Sequence, residues 1–325
     1  MTKNFWQELN KPILALAPMC GVTNLPFRLI AKKYGADLLY TEMIMVQSLA
    51  RNNPAAIRLA EIDKSEEPII IQLGGKEPKL FKESAKIAKE LGASGIDINI
   101  GCPAKKIAGN DSGVALLRNL DLAREIVEAT ISGANGLPIS IKTRTSIKLK
   151  DGQSQQNSLD LLDHLQGLPI AALMVHGRSF EAPWIEEVDY NYIRKIKESF
   201  KGVVLANGGI YDPEIAKIAL EVSGADGIGI GHGVYGRPWI FQEIKNYLQT
   251  GKYRPKTWSE KKQIALEHLD LVHNRQGDLG LPEFKKQLLW YIKGLPGAAN
   301  YREKMSHIIS LADFKAVLLN FPDNF

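Results

Sequence analysis

Eight short apolar runs, spread over the first 230 residues, constrain this fold more than any other sequence feature. They are Ile13–Ala17, Leu38–Tyr40, Pro68–Leu73, Gly95–Ile100, Pro138–Lys142, Ala171–Val175, Gly202–Ala206 and Gly227–Ile230. They are rich in Ile, Val and Leu, and most are bounded by Gly or Pro. A strand covered on both faces reads this way. Between them lie stretches of helical period, among them Lys79–Leu91, Asp121–Ile131 and Asp212–Val222. The last opens with Asp-Pro, a good helix start. Strands alternating with helices in this number predict an α/β fold, a (β/α)8 TIM barrel. A doubly wound open sheet is the competing layout. It would use fewer strands and a Gly-rich first turn. The first turn here is Ala17-Pro18-Met19-Cys20-Gly21, which does not match.

The pattern changes after Ile240. From Trp258 to Phe325 only helices are expected: Ser259–Gln276, Leu281–Lys293 and about Asn300–Leu319. Ser259, ahead of Glu260, reads as the first N-cap. The polar stretch Gly251–Thr257 reads as a linker. We therefore expect a catalytic barrel over 1–250 and a small C-terminal all-helical domain over 251–325. Some 70 residues of helix would lean on the barrel for stability. Charge divides the same way. Residues 251–325 hold 12 Lys/Arg against 8 Asp/Glu, whereas the first 250 hold 29 against 28. That surplus fits either a solvated helical face or a polyanion-binding surface.

With 45% hydrophobic and 24% charged residues, the chain is neither disordered nor fibrous. No apolar run approaches the ~18 residues of a membrane span, so no membrane association is expected. The first residues lack the marks of a secretory signal, and a cytoplasmic location is expected. Two cysteines, Cys20 and Cys102, exclude a disulfide scaffold.

Working groups of such a barrel sit at the carboxyl ends of its strands. The polar residues there are Glu42, Gln72, Asn99, Cys102, Lys142, Arg144, His176, Arg178 and Asn207, with Gly231 after the eighth strand. One such residue is commonly a satisfied polar group. Several on consecutive strands are harder to explain that way, because desolvating each costs free energy. Asn207-Gly208-Gly209 and Gly229-Ile230-Gly231-His232-Gly233 follow the last two strands, where backbone N–H groups hold phosphates in many barrels. They predict a phosphorylated cofactor or substrate, against the plainer reading of two tight turns. Cys102 lies between Gly and Pro and precedes Lys105-Lys106. Nearby cations favour a thiolate, but a Cys can also donate a proton. Cys20 reads as structural. Lys142 could form a Schiff base or stand as a fixed cation beside an electron-rich ring, and spacing does not decide. No Cys or His spacing suggests a metal site, and none is expected.

Assembled in order, these segments resemble the tRNA-dihydrouridine synthases, and among them the bacterial DusB branch. The matching stretches are Leu16–Thr23 with Pro26-Phe27-Arg28, Thr41-Glu42-Met43, Ile71–Gly74 and Asp97–Lys106. They continue through Gly113–Leu117, Ile141–Arg144, Val175–Arg178, Ala206–Ile210, Gly231–Phe241 and Lys285–Gly294. Nearly the whole chain is covered, and Asn-Ile-Gly-Cys-Pro is the most specific motif.

The resemblance implies reduction of the 5,6 double bond of particular uridines in tRNA, with FMN as cofactor and NADPH as reductant. By position, Pro18, Met19 and Cys20 would line the flavin, and Gln72 and Lys142 would contact its ring. Asn207, Gly208, Gly209, Gly231 and His232 would hold its phosphate, with His176 also on the cofactor. Cys102 would be the general acid to uracil carbon 5. Asn99, Arg144 and Arg178 would face the substrate. Trp290 and Tyr291 would offer stacking surfaces to RNA or pack their helix. A monomer is expected. The alternatives are an FMN barrel acting on a free pyrimidine and a non-catalytic tRNA-binding relative. The sequence departs from the family pattern at His232, where Arg is usual, at Ser146 and Gly209, usually Gly and Asp, and at Gln287, usually His.

Overall fold

The computed structural model describes residues 4–182, 187–296, 298, 308 and 310–321. Eight parallel strands close into a barrel, and they are the eight apolar runs. In chain order they are β1 (Ile13–Leu16), β2 (Leu38–Met45), β3 (Ile69–Gly74), β4 (Gly95–Ile100), β5 (Ile139–Arg144), β8 (Ile170–His176), β9 (Val203–Asn207) and β10 (Gly227–Ile230). Each pairs in parallel with its neighbours, and β10 closes onto β1. An antiparallel hairpin, β6 (Ser146–Lys148) and β7 (Gln155–Asn157), is inserted after β5.

Strand periodicity sets what faces inward. Ile96, Ile98 and Ile100 of β4 pack outward among the helices, with Ile139 and Ile141 of β5 and Ile69, Ile71 and Leu73 of β3. The alternate residues point into the barrel. Near the amino ends these are apolar: Ile13, Leu38, Ile70, Ala172 and Val203, closed from below by Trp6. Nearer the carboxyl ends the same inward positions become Gln72, Asp97, Asn99, Ser140, Lys142, His176 and Asn207. Register lines them up: Gln72 beside Asp97, Asn99 beside Lys142, and Arg144 beside His176.

Helix ends carry their own signals. Asn24 caps Leu25–Lys33, and Asp212 caps Pro213–Ser223 with Pro213 in the first turn. The helix over Trp258–Gln276 is capped by Thr257 rather than Ser259. Thr257 lies three residues before Glu260, the spacing a reciprocal capping box requires, and Ser259 does not. The next helix runs Leu281–Tyr291, two residues shorter than its pattern suggested. The last described helix, Leu311–Leu319, starts at a Ser310 cap and not at Asn300. Residues 299–307 and 309 lie outside the described residues.

The C-terminal helices share a core of their own, built on Trp258, Leu269, Phe284, Leu288 and Phe314. Ile30 and Trp239 of the barrel are part of it. Polar contacts reinforce the docking: Asn24 to Glu283, Lys33 to Glu267, and Arg275 to Asp63. Among the described residues no helix is long and apolar enough to cross a membrane.

Candidate active site

A cleft of about 500 Å³ opens at the carboxyl ends of the strands. That is within the range of a small-molecule site. Pro18, Met19, Cys20, Gln72, Asn99, Cys102, Lys142, Arg144, His176, Arg178, Asn207, Gly208, Gly209, Gly231 and His232 all line it. The structure thus brings together every residue that the resemblance would assign to cofactor, substrate or catalysis.

The Cys102 side is held by a chain of hydrogen bonds. Ser140 Oγ donates to Asp97 Oδ1 (2.7 Å), and Gln72 Nε2 donates to Asp97 Oδ2 (2.8 Å). Asn99 Nδ2 donates to Gln72 Oε1 (2.9 Å). Asn99 Oδ1 in turn accepts the backbone N–H groups of Gly101 (3.1 Å) and Cys102 (2.8 Å). Arg144 braces the same turn, donating to the Gly101 and Ser179 carbonyls (3.0 and 3.1 Å). One of its five N–H donors therefore holds the Cys102 turn and a second ties Arg144 to the Ser179 loop. Cys102 itself is partly exposed to the cleft.

Asp97 was not singled out in the sequence, and it anchors this network. The signal was present in Gly-Ile-Asp-Ile-Asn-Ile, where period-2 alternation puts Asp97 and Asn99 on one face. Burial pushes its carboxyl up to about 6, against its hydrogen bonds from Gln72 and Ser140 and the nearby Lys142 charge. Glu42, flagged only as a strand-end residue, accepts the Gly21 N–H (2.5 Å) beneath the cleft rather than lining it.

Cations gather on the next strands. Burial, then Arg144, lowers Lys142 to about 8, and Asp97 and Cys102 partly restore it. Among the described residues no acceptor pairs with Lys142 Nζ. Burial and the surrounding cations Lys142, Arg144 and Arg178 take His176 down to about 2, so its imidazole is neutral at pH 7. His232, at the exposed rim, is lowered by desolvation and then by Arg178 and Lys142. Cys20 is raised chiefly by desolvation.

Gly208 and Gly209 have φ of +109° and +69°. Beyond that strain, a Cβ on Gly208 would sit 2.7 Å from His176 Cδ2, and one on Gly209 2.9 Å from Val188. The side chain usual in the family would have to displace Val188 at Gly209. Ser146, by contrast, starts the β6 hairpin and accepts a hydrogen bond from Gln155. Among the described residues no acceptor pairs with the N–H groups of Gly208, Gly209 or Gly231. Unpaired N–H groups beside a cationic cluster suit a phosphate-bearing group. A half-buried, unpaired ammonium in the same cleft as Gln72 suits an electron-rich ring.

The residues expected to meet RNA by stacking are placed otherwise. Tyr291 is buried, with its hydroxyl 3.2 Å from His268 Nδ1. Trp290 is half-buried and stacked on Tyr235, centroids 4.0 Å apart. Gln287 is wholly buried and donates to the Val22 carbonyl (3.2 Å), so it faces the barrel and not a ligand surface.

The family described as dihydrouridine synthase (Dus) matches residues 15–325. The tRNA-dihydrouridine synthase B of Pseudomonas syringae pv. tomato is 38% identical over 292 residues, covering 89% of this chain and 85% of that one. The protein of the same name from Pseudomonas putida is 36% identical over 310 residues, covering 94% and 89%. Among solved structures, morphinone reductase in complex with tetrahydroNAD superposes with a TM-score of 0.52 at 13% identity, covering 79% of this chain and 92% of that one. That last likeness speaks to the barrel fold alone. The family match and these relatives together place the chain in the dihydrouridine synthase family.

Proposed function

We propose that this protein reduces particular uridines of tRNA to 5,6-dihydrouridine in the cytoplasm, with FMN as cofactor and NADPH as its reductant. One observation carries the proposal. A braced cysteine, an unpaired, half-buried ammonium and two open glycine loops share a single cleft. The residues fit the cofactor: Gly208, Gly209 and Gly231 would take the FMN phosphate, with His232 at the rim, and Lys142 and Gln72 would meet the ring. A neutral His232 holds a phosphate less firmly than the usual guanidinium, leaving more of that work to the glycine N–H groups. When bound, FMN supplies hydride to carbon 6 of uracil.

The chain supplies the rest. Uracil in folded tRNA is stacked or paired, so it must swing out to enter the cleft. Cys102 Sγ holds the proton that goes to carbon 5, completing the reduction. Asn99 and Arg144 fix the backbone of that turn, which fixes where the sulfur lies. Lys142 and Arg144 are within electrostatic range of Cys102 and would stabilise the thiolate left behind. Residues 1–250 would carry this chemistry. The positive surplus on 251–325 would face the RNA backbone.

The purified protein should be yellow, bleach on adding NADPH and recolour on adding unmodified tRNA. Cys102→Ala should still bleach, while dihydrouridine formation falls by roughly 10²- to 10⁴-fold, the usual worth of a positioned proton donor. Mass spectrometry of digested tRNA reads the product. Full-rate product from Cys102→Ala would remove the cysteine from the chemistry.

A further inference from the structure

The loops after β1 and β10 both lean on one C-terminal helix. These strands are neighbours in the barrel, so their loops form one continuous side of the cleft. The first loop presents Met19 and Cys20 to the cleft. It folds back on itself, with the N–H groups of Val22 and Thr23 donating to the Met19 carbonyl (3.1 Å each). Thr23 Oγ1 accepts the Met19 N–H at 3.1 Å. On its far side the helix Leu281–Tyr291 holds it: Gln287 Nε2 donates to the Val22 carbonyl (3.2 Å), and Asn24 Nδ2 donates to Glu283 Oε2 (2.7 Å).

The second loop presents Gly231 and His232 to the cleft. Its Tyr235 ring lies 4.9 Å from that of His232 and stacks on Trp290 with the planes 4° apart. Backbone meets backbone at Gly236, where a Cβ would lie 2.3 Å from the Trp290 carbonyl oxygen. Gln287 is fully buried with its Oε1 unpartnered among the described residues, so its amide is held there at a cost. Helix packing alone would be served better by an apolar residue there.

The geometry points to Gln287 and Trp290 as positioning residues of the cleft, through which the C-terminal segment sets flavin binding before any RNA arrives. Gln287 acts through the Met19–Thr23 turn and Trp290 through Tyr235 and His232. The inference rests on the flavin-binding proposal above, and it makes the C-terminal segment a support behind the cleft wall rather than only an RNA-binding arm.

The test uses the full-length apoprotein without tRNA. The variants are Gln287→Leu and Trp290→Ala, the conservative Gln287→His and Trp290→Phe, and Lys33→Ala. The last breaks the ion pair with Glu267, another barrel-to-helix contact away from the cleft. FMN affinity is read by fluorescence quenching, the bound flavin by its visible band, and loop order by hydrogen exchange over residues 18–24 and 231–237. Gln287→Leu and Trp290→Ala should each weaken FMN binding roughly tenfold, a displacement worth one decade of affinity. Each should alter the flavin band and speed exchange in its own loop. The His and Phe variants should recover most of this, and Lys33→Ala should match wild type. If Gln287→Leu does not fold, Glu283→Ala, which removes the acceptor of Asn24 Nδ2, replaces it with the same expected direction. Wild-type affinity, band and exchange in both removal variants would overturn the inference. So would an equal loss in Lys33→Ala, because general loosening would then be the cause. Exchange requires no flavin, so a wild-type protein that took up no FMN would defeat the flavin proposal while the loop measurement still stood.

Discussion

At the residue scale, Asp97 shows how a buried charge is made to serve a site. Its carboxylate accepts from Gln72 and Ser140, and through Gln72 it orients Asn99 and the Cys102 turn. Water would serve the ionised form better, so its pKa rises from 3.8 to about 6. The folded chain thus holds this proton more tightly than the unfolded chain. The stability it lends is complete below pH 3.8 and is lost as pH rises through about 6. Two units amount to ~3 kcal/mol. Asn at this position cannot titrate. The unfolding free energy of the apoprotein, wild type minus Asp97→Asn, should therefore shrink by roughly 2 kcal/mol between pH 4 and pH 7, part of the whole having been lost already at pH 4. A difference that stayed flat across that range would mean Asp97 titrates normally. Cys102 and Lys142 could be picked out by type and place along the chain. Alternation puts Asp97 on the inward face, but its role is not legible there, because it depends on partners from two neighbouring strands. The place of Gln287 was not legible for a related reason: nothing local says that its helix face meets a barrel loop.

At the element scale, legibility followed the strength of the period. All eight barrel strands were readable because both their faces are buried, and uninterrupted Ile and Val runs have few other uses. The β6–β7 hairpin was not, since its three-residue strands are largely polar and take their order from the neighbouring loop. Helix starts were readable where a cap side chain stands next to Pro. At Thr257 two plausible caps lay two residues apart, and only the reciprocal bond with Glu260 chose between them. Some elements are also set by what is missing. Gly133, in the helix Leu120–Ala134, lets that helix approach Pro78–Glu90 so closely that a Cβ would lie 2.1 Å from the Lys82 carbonyl oxygen. Gly133→Ala should gain about 1 kcal/mol of helix propensity. Overpacking against backbone costs roughly 1–3 kcal/mol, and at 2.1 Å the upper half of that range applies. The net expectation is a loss of about 1–2 kcal/mol, read as a lower urea midpoint with an unchanged slope. A gain in stability would show that the two helices slide apart freely.

At the scale of the whole molecule, the break at Gly251 reads in the sequence as a division of labour, and the packing qualifies it. The charge surplus and the change from alternating elements to helices alone were both visible. That Ile30 and Trp239 belong to the second core was not, because each sits within an ordinary barrel helix or its approach. Both are almost fully buried, at 0% and 1% exposure. A chain ending at residue 250 would expose both to water. Full burial of such a side chain stabilises by about 1.5–3 kcal/mol, so the pair alone amounts to roughly 3–6 kcal/mol. That is comparable to the whole margin of many domains. The isolated barrel should therefore melt well below the full chain and bind a hydrophobic dye at temperatures where the full chain does not. Trp239→Ala in the full chain should account for about 3–5 kcal/mol of that difference. If residues 1–250 instead melt with the full chain and keep their FMN affinity, the barrel is self-sufficient, and the C-terminal helices only recognise substrate. If they melt lower and bind FMN more weakly, the same helices finish the cleft and choose the RNA, and removing the segment cannot separate the two roles.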